Sequence, residues 1–476
     1  MAVEFGRRFH TVIRFHWMFG VVGFVLPFSI LTWPGSLPGQ QEGDPELVQF
    51  VIQLLGESDQ DMRALGLEQI RTQAGGEGLT KQFAAHLPNV RPAVQVELIR
   101  ALTDRGDPAA RAPIIVLLMS SEQQPVRAEA IRALGFLGEP EDAPLLLQSL
   151  KRGTEAEKSQ ARESLIRLPG EAISRATVGA MRQADPSFRV ALMEILVARR
   201  AADHAADLVP RAVDENPQVR AAAMKGLSEL AGAEQIPGMA RGVLAAEKGR
   251  ERDAAEKALM RACHRIGEDD EPAKPLLAAM DDLSEPDRIV LLSALGRVGG
   301  TAALKVLKVA LAAPSESRHQ AALRALCNWP DASVAPQLIE LARSEPRRGN
   351  RIAALRALIR VAPVPDGRSH MEKLELLRRA MTMCVRDEER KLVLRRAGAV
   401  RLPETLQFLV PYLDQPTFTQ HACQSIVELA HHRSLREPNE AAFHEALEKV
   451  KQVSTDPVVV ERADRYQKDQ TWTGDN

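Results

Sequence analysis

The stretch QPVRAEAIRALGFLG, residues 124–138, contains the pattern that decides the fold. Its proline suits the first turn of a helix, where a backbone N–H is not needed. Ala130, Leu134 and Leu137 then lie on one face at helical spacing, and the final glycine can close the helix. A polar turn and a second apolar stretch, residues 144–150, complete an antiparallel pair that we describe as a first and a second helix.

The same pattern recurs along most of the chain with an almost constant period. We number positions from the central aliphatic residue, position 0. Twelve copies align, with position 0 at Ile70, Leu102, Leu134, Leu165, Leu196, Leu227, Leu259, Leu295, Leu326, Leu358, Leu394 and Ile426. Successive copies are 31 or 32 residues apart, except for two gaps of 36 that indicate insertions at 268–275 and 362–369. Such units bury apolar faces on their neighbours, so the sequence predicts an all-α fold, an α-solenoid of about twelve helical hairpins, rather than a compact enzyme core.

Recurring residue types also mark other positions of the first helix. Position −4 is usually alanine, which lets neighbouring helices approach closely. Position −7 is usually a cation, at Arg63, Arg127, Lys158, Arg189, Arg220, Arg252, Arg288, His319 and Arg351. This ladder could bind a ligand, but we expect it to bond to carboxylates or exposed carbonyls of adjacent repeats. The glycines expected to close first helices in the left-handed conformation are Gly106, Gly138, Gly170, Gly232 and Gly299.

The phrases VRxxAxxALxxLG at 126–138 and VRxxAxxGLxxLAG at 219–232 resemble the HEAT repeat, in the short form also found in phycobilin lyase-type proteins. The resemblance extends over residues 45 to about 435. It implies that the first helices line the concave side of the superhelix and the second helices its convex side. Residues 328–413 also resemble helical modules of large exported bacterial proteins, which implies export and a scaffolding role.

Two copies depart from the repeat pattern. Glu157 replaces the usual apolar opening in the copy centred on Leu165, and Arg390 occupies the alanine position in the copy centred on Leu394. We expect these two units to be bent or loosely packed.

Composition restricts the function classes. The net charge is −1 and aromatic residues make up only 4% of the chain, so neither a basic field nor stacking platforms favour binding of nucleic acid. The four cysteines are widely spaced, at Cys263, Cys327, Cys384 and Cys423. We interpret them as small buried residues rather than as a disulfide framework.

The N-terminal segment has the layout of an export signal. Three arginines fall within residues 1–14, no formal charge occurs at 15–41, and residues 17–33 are densely apolar. We interpret residues 1–41 as a signal peptide or a retained signal anchor, 42–452 as the solenoid and 453–476 as a terminal helix with a polar tail. The arginines would stay in the cytoplasm, which places the solenoid in the periplasm or cell envelope, free or anchored in the cytoplasmic membrane.

No catalytic motif stands out. The chain lacks a phosphate-binding loop, a nucleophile elbow, a metalloprotease HExxH and a CxxC pair. A zinc site could be considered at His421, His431 and His432, with Cys423 nearby. These side chains would be spread over roughly 15 Å of helix, which is too far for one ion. The sequence therefore predicts no catalytic residue, cofactor or metal, and no small-molecule substrate is evident.

Position −2 of the first helix gives a candidate binding row. It is basic at Arg100, Arg132, Lys225, Lys257, Arg324 and Arg356, and acidic at Glu68, Glu163 and Glu194. Two interpretations remain open: ordinary charge on a helix surface, or a row that binds an acidic protein segment or an anionic envelope polymer. We interpret the chain as a non-catalytic scaffold on the exported side that binds an unknown protein along its concave face. The alternative is a lyase or another enzyme built on HEAT-like repeats.

Overall fold

The computed structural model describes residues 45–74, 76–267 and 271–472. The predicted export segment, residues 1–41, and the last four residues of the predicted tail lie outside these ranges. Regular structure within them is helical throughout, with no β-strand. The prediction of an all-α fold is therefore confirmed.

We number the α-helices α1 to α27 in chain order. Each of the twelve predicted first helices is present in the described residues and contains one aligned aliphatic residue. They are α2 (Gln60–Thr72), α4 (Pro92–Arg105), α6 (Gln124–Leu137), α8 (Glu155–Arg167), α10 (Pro186–Ala198), α12 (Pro217–Leu230), α14 (Arg250–Ile266), α16 (Glu285–Val298), α18 (Glu316–Cys327), α20 (Arg348–Val361), α22 (Asp387–Ala397) and α24 (Thr419–Ala430).

The second helices alternate with the first. They are α3 (Gly76–Ala84), α5 (Arg111–Ser120), α7 (Ala143–Arg152), α9 (Glu171–Met181), α11 (Ala205–Leu208), α13 (Ile236–Ala245), α15 (Lys274–Asp281), α17 (Thr301–Leu311), α19 (Ala335–Ser344), α21 (His370–Met383) and α23 (Pro403–Leu409). Helix α1 (Pro45–Gly56) precedes the array, and α25 (Arg433–Arg436), α26 (Glu440–Val453) and α27 (Pro457–Gln467) end it. Short 3-10 helices lie at Leu87–Asn89, Pro108–Ala110, Pro140–Asp142, Ala202–His204, Val209–Val213, Ala233–Gln235, Ala332–Val334, Val410–Tyr412 and Glu437–Asn439.

The hairpins stack in chain order around one continuous apolar core. Substantial contacts between α-helices of the described residues join helices no more than three apart along the chain. All twelve position-0 side chains are fully buried, at 0% exposure. Each hairpin thus shelters its apolar face on its neighbours, which is the defining property of a solenoid.

Small residues let successive first helices approach closely. A Cβ on Gly135 of α6 would lie 2.7 Å from the Ser164 Oγ and 2.9 Å from the Ser164 Cα in α8. The Ser164 hydroxyl, at position −1, donates a hydrogen bond of 2.8 Å to the carbonyl of Ile131 in α6. Ser425, at the same position of α24, donates to the carbonyl of Leu394 at 2.9 Å. Glycine and serine therefore set the spacing between helices at these interfaces.

The prediction for the closing glycines is only partly right. Gly106 and Gly299 have φ of +73° and +78°, in the left-handed half of the map, and Gly170 has φ of +96°. Gly138 and Gly232 instead have φ of −74° and −90°. At Gly138 glycine is needed for space, because a Cβ would collide with the Leu134 carbonyl and lie 2.9 Å from the Asp142 carboxylate.

Glu157 does not loosen the contact of α8 with the preceding first helix, α6. Against the next one, α10, α8 packs less than any other two consecutive first helices do, so the expectation of a loosely packed unit holds on one side only. The Glu157 side chain is buried, and it accepts hydrogen bonds from the Thr154 N–H at 2.7 Å and from the Arg127 Nε at 2.6 Å. Burial alone would raise the pKa of Glu157, but these donors lower it below its usual value. The carboxylate caps α8 and joins it to α6 instead of disrupting the helix pair.

Candidate protein-binding surface

The cations at position −7 form hydrogen bonds within the fold. The Arg220 Nε and Nη2 donate to the two Glu251 oxygens at 2.7 and 3.0 Å, and its Nη1 donates to the carbonyls of Asp214 and Glu215 at 2.9 and 3.0 Å. The carbonyls follow the preceding second helix and the carboxylate belongs to the next repeat. One guanidinium therefore joins the two flanking repeats, as expected from the sequence.

Most other cations at position −7 repeat this arrangement. Carbonyls at the end of the preceding second helix, or just after it, accept from Arg63, Arg127, Arg189, Arg252, Arg288, His319 and Arg351. Lys158 is the exception, because it pairs only with Glu155 of its own helix, at 2.8 Å. This ladder is therefore structural and is not available to a ligand.

A second set of arginines went unnoticed in the sequence. Arg105, Arg199 and Arg360 lie two or three residues after position 0. Each reaches back to carbonyls at the end of the previous first helix; the Arg199 guanidinium meets the carbonyls of four residues. Burial lowers the pKa of Arg199 and of Arg360, because removal from water disfavours the charged guanidinium. Arginine recurring just after position 0 was the signal that could have revealed this set.

Two of the six predicted partner-binding residues share one carboxylate. The Arg100 Nε lies 3.1 Å from one Glu129 oxygen, and the Arg132 Nε lies 2.5 Å from the other. Glu129 is buried at position −5 of α6, which faces position −2 of α4. The Phe136 ring, 52% exposed, lies beneath the Arg132 guanidinium, 5.4 Å away. Arg100 and Arg132 are therefore partly used within the fold.

Arg356 and Lys257 also have partners. The Arg356 Nε lies 2.8 Å from buried Glu389, again at position −5 of the next first helix. Glu389 also accepts from Arg386 at 2.6 Å, and hydrogen bonds from Arg386 and Arg356 lower the pKa of Glu389. The Lys257 Nζ lies 2.8 Å from Asp253 of its own helix.

Lys225 and Arg324 differ from the other four. Both side chains are exposed, and neither takes part in a hydrogen bond or ion pair within the described residues. The cause lies at position −5 of the next first helix, which is Ala254 opposite Lys225 and Ala353 opposite Arg324. Where the repeat has alanine in place of glutamate, the cation at −2 has no acceptor.

Sequence analysis missed a further group of cations on α22. Arg395 and Arg396 are exposed and Lys391 is half-buried, and within the described part of the chain their side chains have no ion pair. At position −5 of α24 stands His421, whose pKa is lowered by burial and then by the charges of Arg395 and Lys391. The signal in the sequence was the histidine at position −5, where a glutamate would neutralise the cations of α22.

Open grooves run along the first-helix layer. One of about 530 Å³ crosses α8, α10 and α12, and its lining includes Ile166, Met193 and Val197. Another of about 260 Å³ lies beside Lys225 and Ala254, between α12 and α14. Apolar walls next to charged rims are typical of surfaces that accept protein side chains.

The candidate metal ligands do not converge. His431 Nδ1 lies 2.9 Å from the Tyr466 hydroxyl, and His421 Nδ1 is buried with no hydrogen-bond partner in the described residues. Across residues 45–74, 76–267 and 271–472, no three His, Cys, Asp or Glu residues form a group that could hold a metal ion. In the same ranges, no helix combines the length and hydropathy needed to span a membrane.

The cysteines are packed as small apolar residues. Cys263, Cys384 and Cys423 are buried, Cys327 is half-buried, and all four are free thiols. Burial raises the pKa of Cys263 to about 12 and the pKa of each of the others to about 11. The interpretation as small buried residues outside a disulfide framework is therefore right for three of the four, and Cys327 is free but only half-buried.

Residues 80–166 match the family model described as HEAT repeats. None of the curated protein sequences compared with the chain matches it. Among solved structures, Kap121p bound to Ste12p is similar at 13% identity and a TM-score of 0.48, over 86% of this chain and 53% of Kap121p. Importin beta is similar at 10% identity and a TM-score of 0.37, over 89% of this chain and 68% of importin beta. Human deoxyhypusine hydroxylase in complex with glycerol is similar at 16% identity and a TM-score of 0.22, over 70% of this chain and 98% of the enzyme. The chain spans about half the length of Kap121p.

Proposed function

We propose that this HEAT-repeat protein is a non-catalytic scaffold that binds a protein partner along its layer of first helices. The observation that carries the proposal is that Lys225 and Arg324 are exposed and have no ion pair within the described residues, whereas the other four cations at position −2 are paired. A regular stack of helices supplies a long, shape-specific surface without any catalytic group. The two grooves beside Lys225 give room for apolar side chains of the partner.

We place the binding layer on the concave side of the superhelix. The close approach of Gly135 to Ser164 supports this, because helices on the inside of a curved stack lie nearer to each other than those outside. The Arg-to-carbonyl bonds between consecutive repeats hold this layer rigid. A partner that fits the curvature therefore finds a preformed surface, which reduces the entropy cost of binding.

We also propose that the scaffold works on the exported side of the membrane, in the periplasm or cell envelope. The support is the arginine-flanked apolar stretch at residues 17–33. Protease added to intact spheroplasts is expected to digest the full-length protein, and a cytoplasmic marker should survive. Protection equal to that of the cytoplasmic marker would refute the export proposal and leave the scaffold proposal standing.

Affinity purification of the full-length chain after cross-linking tests the scaffold proposal. The variant Lys225→Glu with Arg324→Glu is expected to lose the partner found with the wild type. The matched control is Lys305→Glu with Lys308→Glu, which reverses two exposed charges on second helix α17. Equal recovery by both variants, or equal loss, would contradict binding along the first-helix layer.

A further inference from the structure

In two pairs of consecutive repeats, the charge of a cation at position −2 is neutralised by a glutamate at position −5 of the next first helix. Glu129 and Glu389 at position −5 accept from Arg100 and Arg356 at position −2 of the preceding first helix, at 3.1 and 2.8 Å. Both carboxylates are buried between two first helices. The array therefore contains a defined place for one carboxylate between consecutive first helices.

That place lacks a carboxylate in two of the last three junctions between first helices. Ala353 stands opposite exposed Arg324, and His421 stands beside Lys391 and Arg395. Ala353 is itself exposed, so the space beside Arg324 is open to solvent. Both junctions lack the acceptor. The first keeps the cation at position −2, Arg324, whereas position −2 of α22 is Leu392 and the neighbouring cations are Lys391 and Arg395, at positions −3 and +1.

The charge of the helices shows the same imbalance. Helices α18, α20, α22 and α24 together contain ten Lys and Arg against five Asp and Glu, a net charge of +5. Helices α2, α4, α6 and α8 contain nine against eight, a net charge of +1. Because the whole chain has a net charge of −1, the positive charge is concentrated on one part of one layer. Such a local field attracts an acidic partner.

We propose that an acidic, extended segment of the protein partner binds across α18 to α22, with its carboxylates in the places that Glu129 and Glu389 fill elsewhere. This inference rests on the proposed function and names the chemistry of the partner. Packed helices lie about 10 Å apart, so Arg324 and Arg395, two repeats apart, are separated by roughly 20 Å. An extended chain rises about 3.3 Å per residue and covers that distance in six or seven residues.

A protein segment fits these sites better than nucleic acid does. The place for an acceptor is that of a single glutamate carboxylate between two helices, as Glu129 and Glu389 show. Helices α18, α20, α22 and α24 contain no Phe, Tyr or Trp on which bases could stack. Salt-sensitive binding of a carboxylate-bearing peptide is therefore the expected behaviour.

Fluorescence anisotropy with the full-length protein tests the inference. The probe is a labelled twelve-residue peptide of alternating Glu and Ser, with a Gln and Ser peptide of the same length as the neutral control. The variant Ala353→Glu with His421→Glu supplies the two missing carboxylates from within the chain and should weaken binding of the acidic peptide at least tenfold. Ala172→Glu adds one carboxylate at an exposed position of second helix α9, away from the proposed site, and should leave the affinity unchanged.

Charge removal gives an independent check that does not depend on how well the new glutamates pack. Arg395→Gln with Arg396→Gln, both at exposed positions, is also expected to weaken the peptide at least tenfold. Equal affinity for acidic and neutral peptides would overturn the inference, as would equal weakening by Ala172→Glu. Stronger binding of polyphosphate or anionic vesicles than of the peptide would overturn it too. If the cross-linked partner is still recovered through Lys225 and Arg324 while the peptide fails, the scaffold proposal stands and only its acidic chemistry falls.

Discussion

Replacing Arg220 by glutamine tests how the solenoid is held together. The Arg220 side chain is 10% exposed and makes four hydrogen bonds, two to Glu251 and two to carbonyls after the preceding helix. Glutamine is shorter and uncharged, so it cannot reach both sides. The substitution therefore removes the connection between two repeats and leaves a carboxylate without its main cation.

The expected loss of stability is about 2–3 kcal/mol. Breaking a buried ion pair costs about 3–5 kcal/mol, because one charge is left unpaired. Glu251 is 18% exposed and keeps the Glu247 N–H as a donor at 3.1 Å, which places this case below that range. Lys158→Gln is the matched control, since Lys158 occupies position −7 but is 38% exposed and pairs with the 90% exposed Glu155. An exposed pair contributes at most about 1 kcal/mol, so this control should be nearly neutral.

Hydrogen–deuterium exchange resolved by peptide is the appropriate assay, because repeat arrays unfold regionally. Amides of α10, α12 and α14 should exchange about 30- to 150-fold faster in Arg220→Gln, the equivalent of that free energy. The Arg220 guanidinium holds the pKa of Glu251 below its usual value. A lowered carboxylate pKa contributes stability above the unfolded-state pKa and loses it as pH falls through the folded-state value. The difference from the wild type should therefore shrink in acid.

Two outcomes would refute this reasoning. The first is acceleration spread evenly over all helices, which would mean that Arg220 does not act between its own neighbours. The second is an effect of Lys158→Gln as large as that of Arg220→Gln, which would mean that burial and the two-sided contact are irrelevant. If the difference in exchange rate between Arg220→Gln and the wild type did not change with pH, the stabilisation by Arg220 would not depend on the charge of Glu251.

Three further predictions concern packing. Gly135→Val should cost about 1–3 kcal/mol in thermal unfolding, because even a Cβ would lie 2.7 Å from a serine of the next repeat, whereas Gly179→Ala, with open space around it, should be neutral or up to about 1 kcal/mol stabilising. Trp329→Ala should cost about 3–5 kcal/mol in urea titrations, because this indole is 1% exposed and donates a hydrogen bond of 2.9 Å, while half-buried Trp472 should matter far less. Cys263, with its pKa raised to about 12, should remain unmodified by iodoacetamide at pH 8 in the folded protein and react after denaturation, as mass spectrometry would show; modification of the native protein within minutes would contradict its burial.

The backbone of the array could be predicted from the sequence because the decisive signal is local. Burial at position 0 follows from helical spacing within fifteen residues, and twelve copies reinforce one another. The ladder at position −7 was also foreseeable, since a cation repeated at one position of a rigid stack meets the same neighbours each time. Arg220 and Arg127 differ mainly in which acidic residue lies opposite.

Features that depend on how two repeats meet could not be predicted. Arg324 and Arg356 look equivalent in the sequence, yet Arg356 is paired and Arg324 is not. The outcome depends on a residue 33 or 29 positions further on, Glu389 or Ala353. Gly138 was expected to close a helix by its backbone angle, but it is needed because the Asp142 carboxylate folds back over it. The pairing of Arg356 and the need for glycine at 138 both depend on distances between side chains that lie on different helices or turns, which a helical pattern does not reveal.

The regularity of the array explains how a binding surface can arise at little cost to the fold. A partly exposed ion pair contributes about 0–1 kcal/mol, so an array can exchange a glutamate at position −5 for alanine and keep its stability. The cation at position −2 remains and is held in place by its helix, as Arg324 is. A partner carboxylate entering that space meets a preorganised charge in a site that becomes partly desolvated on binding, where the interaction is stronger than in open solvent. In this chain the sites for a partner are therefore expected where the internal pairing is interrupted, at Ala254, Ala353 and His421.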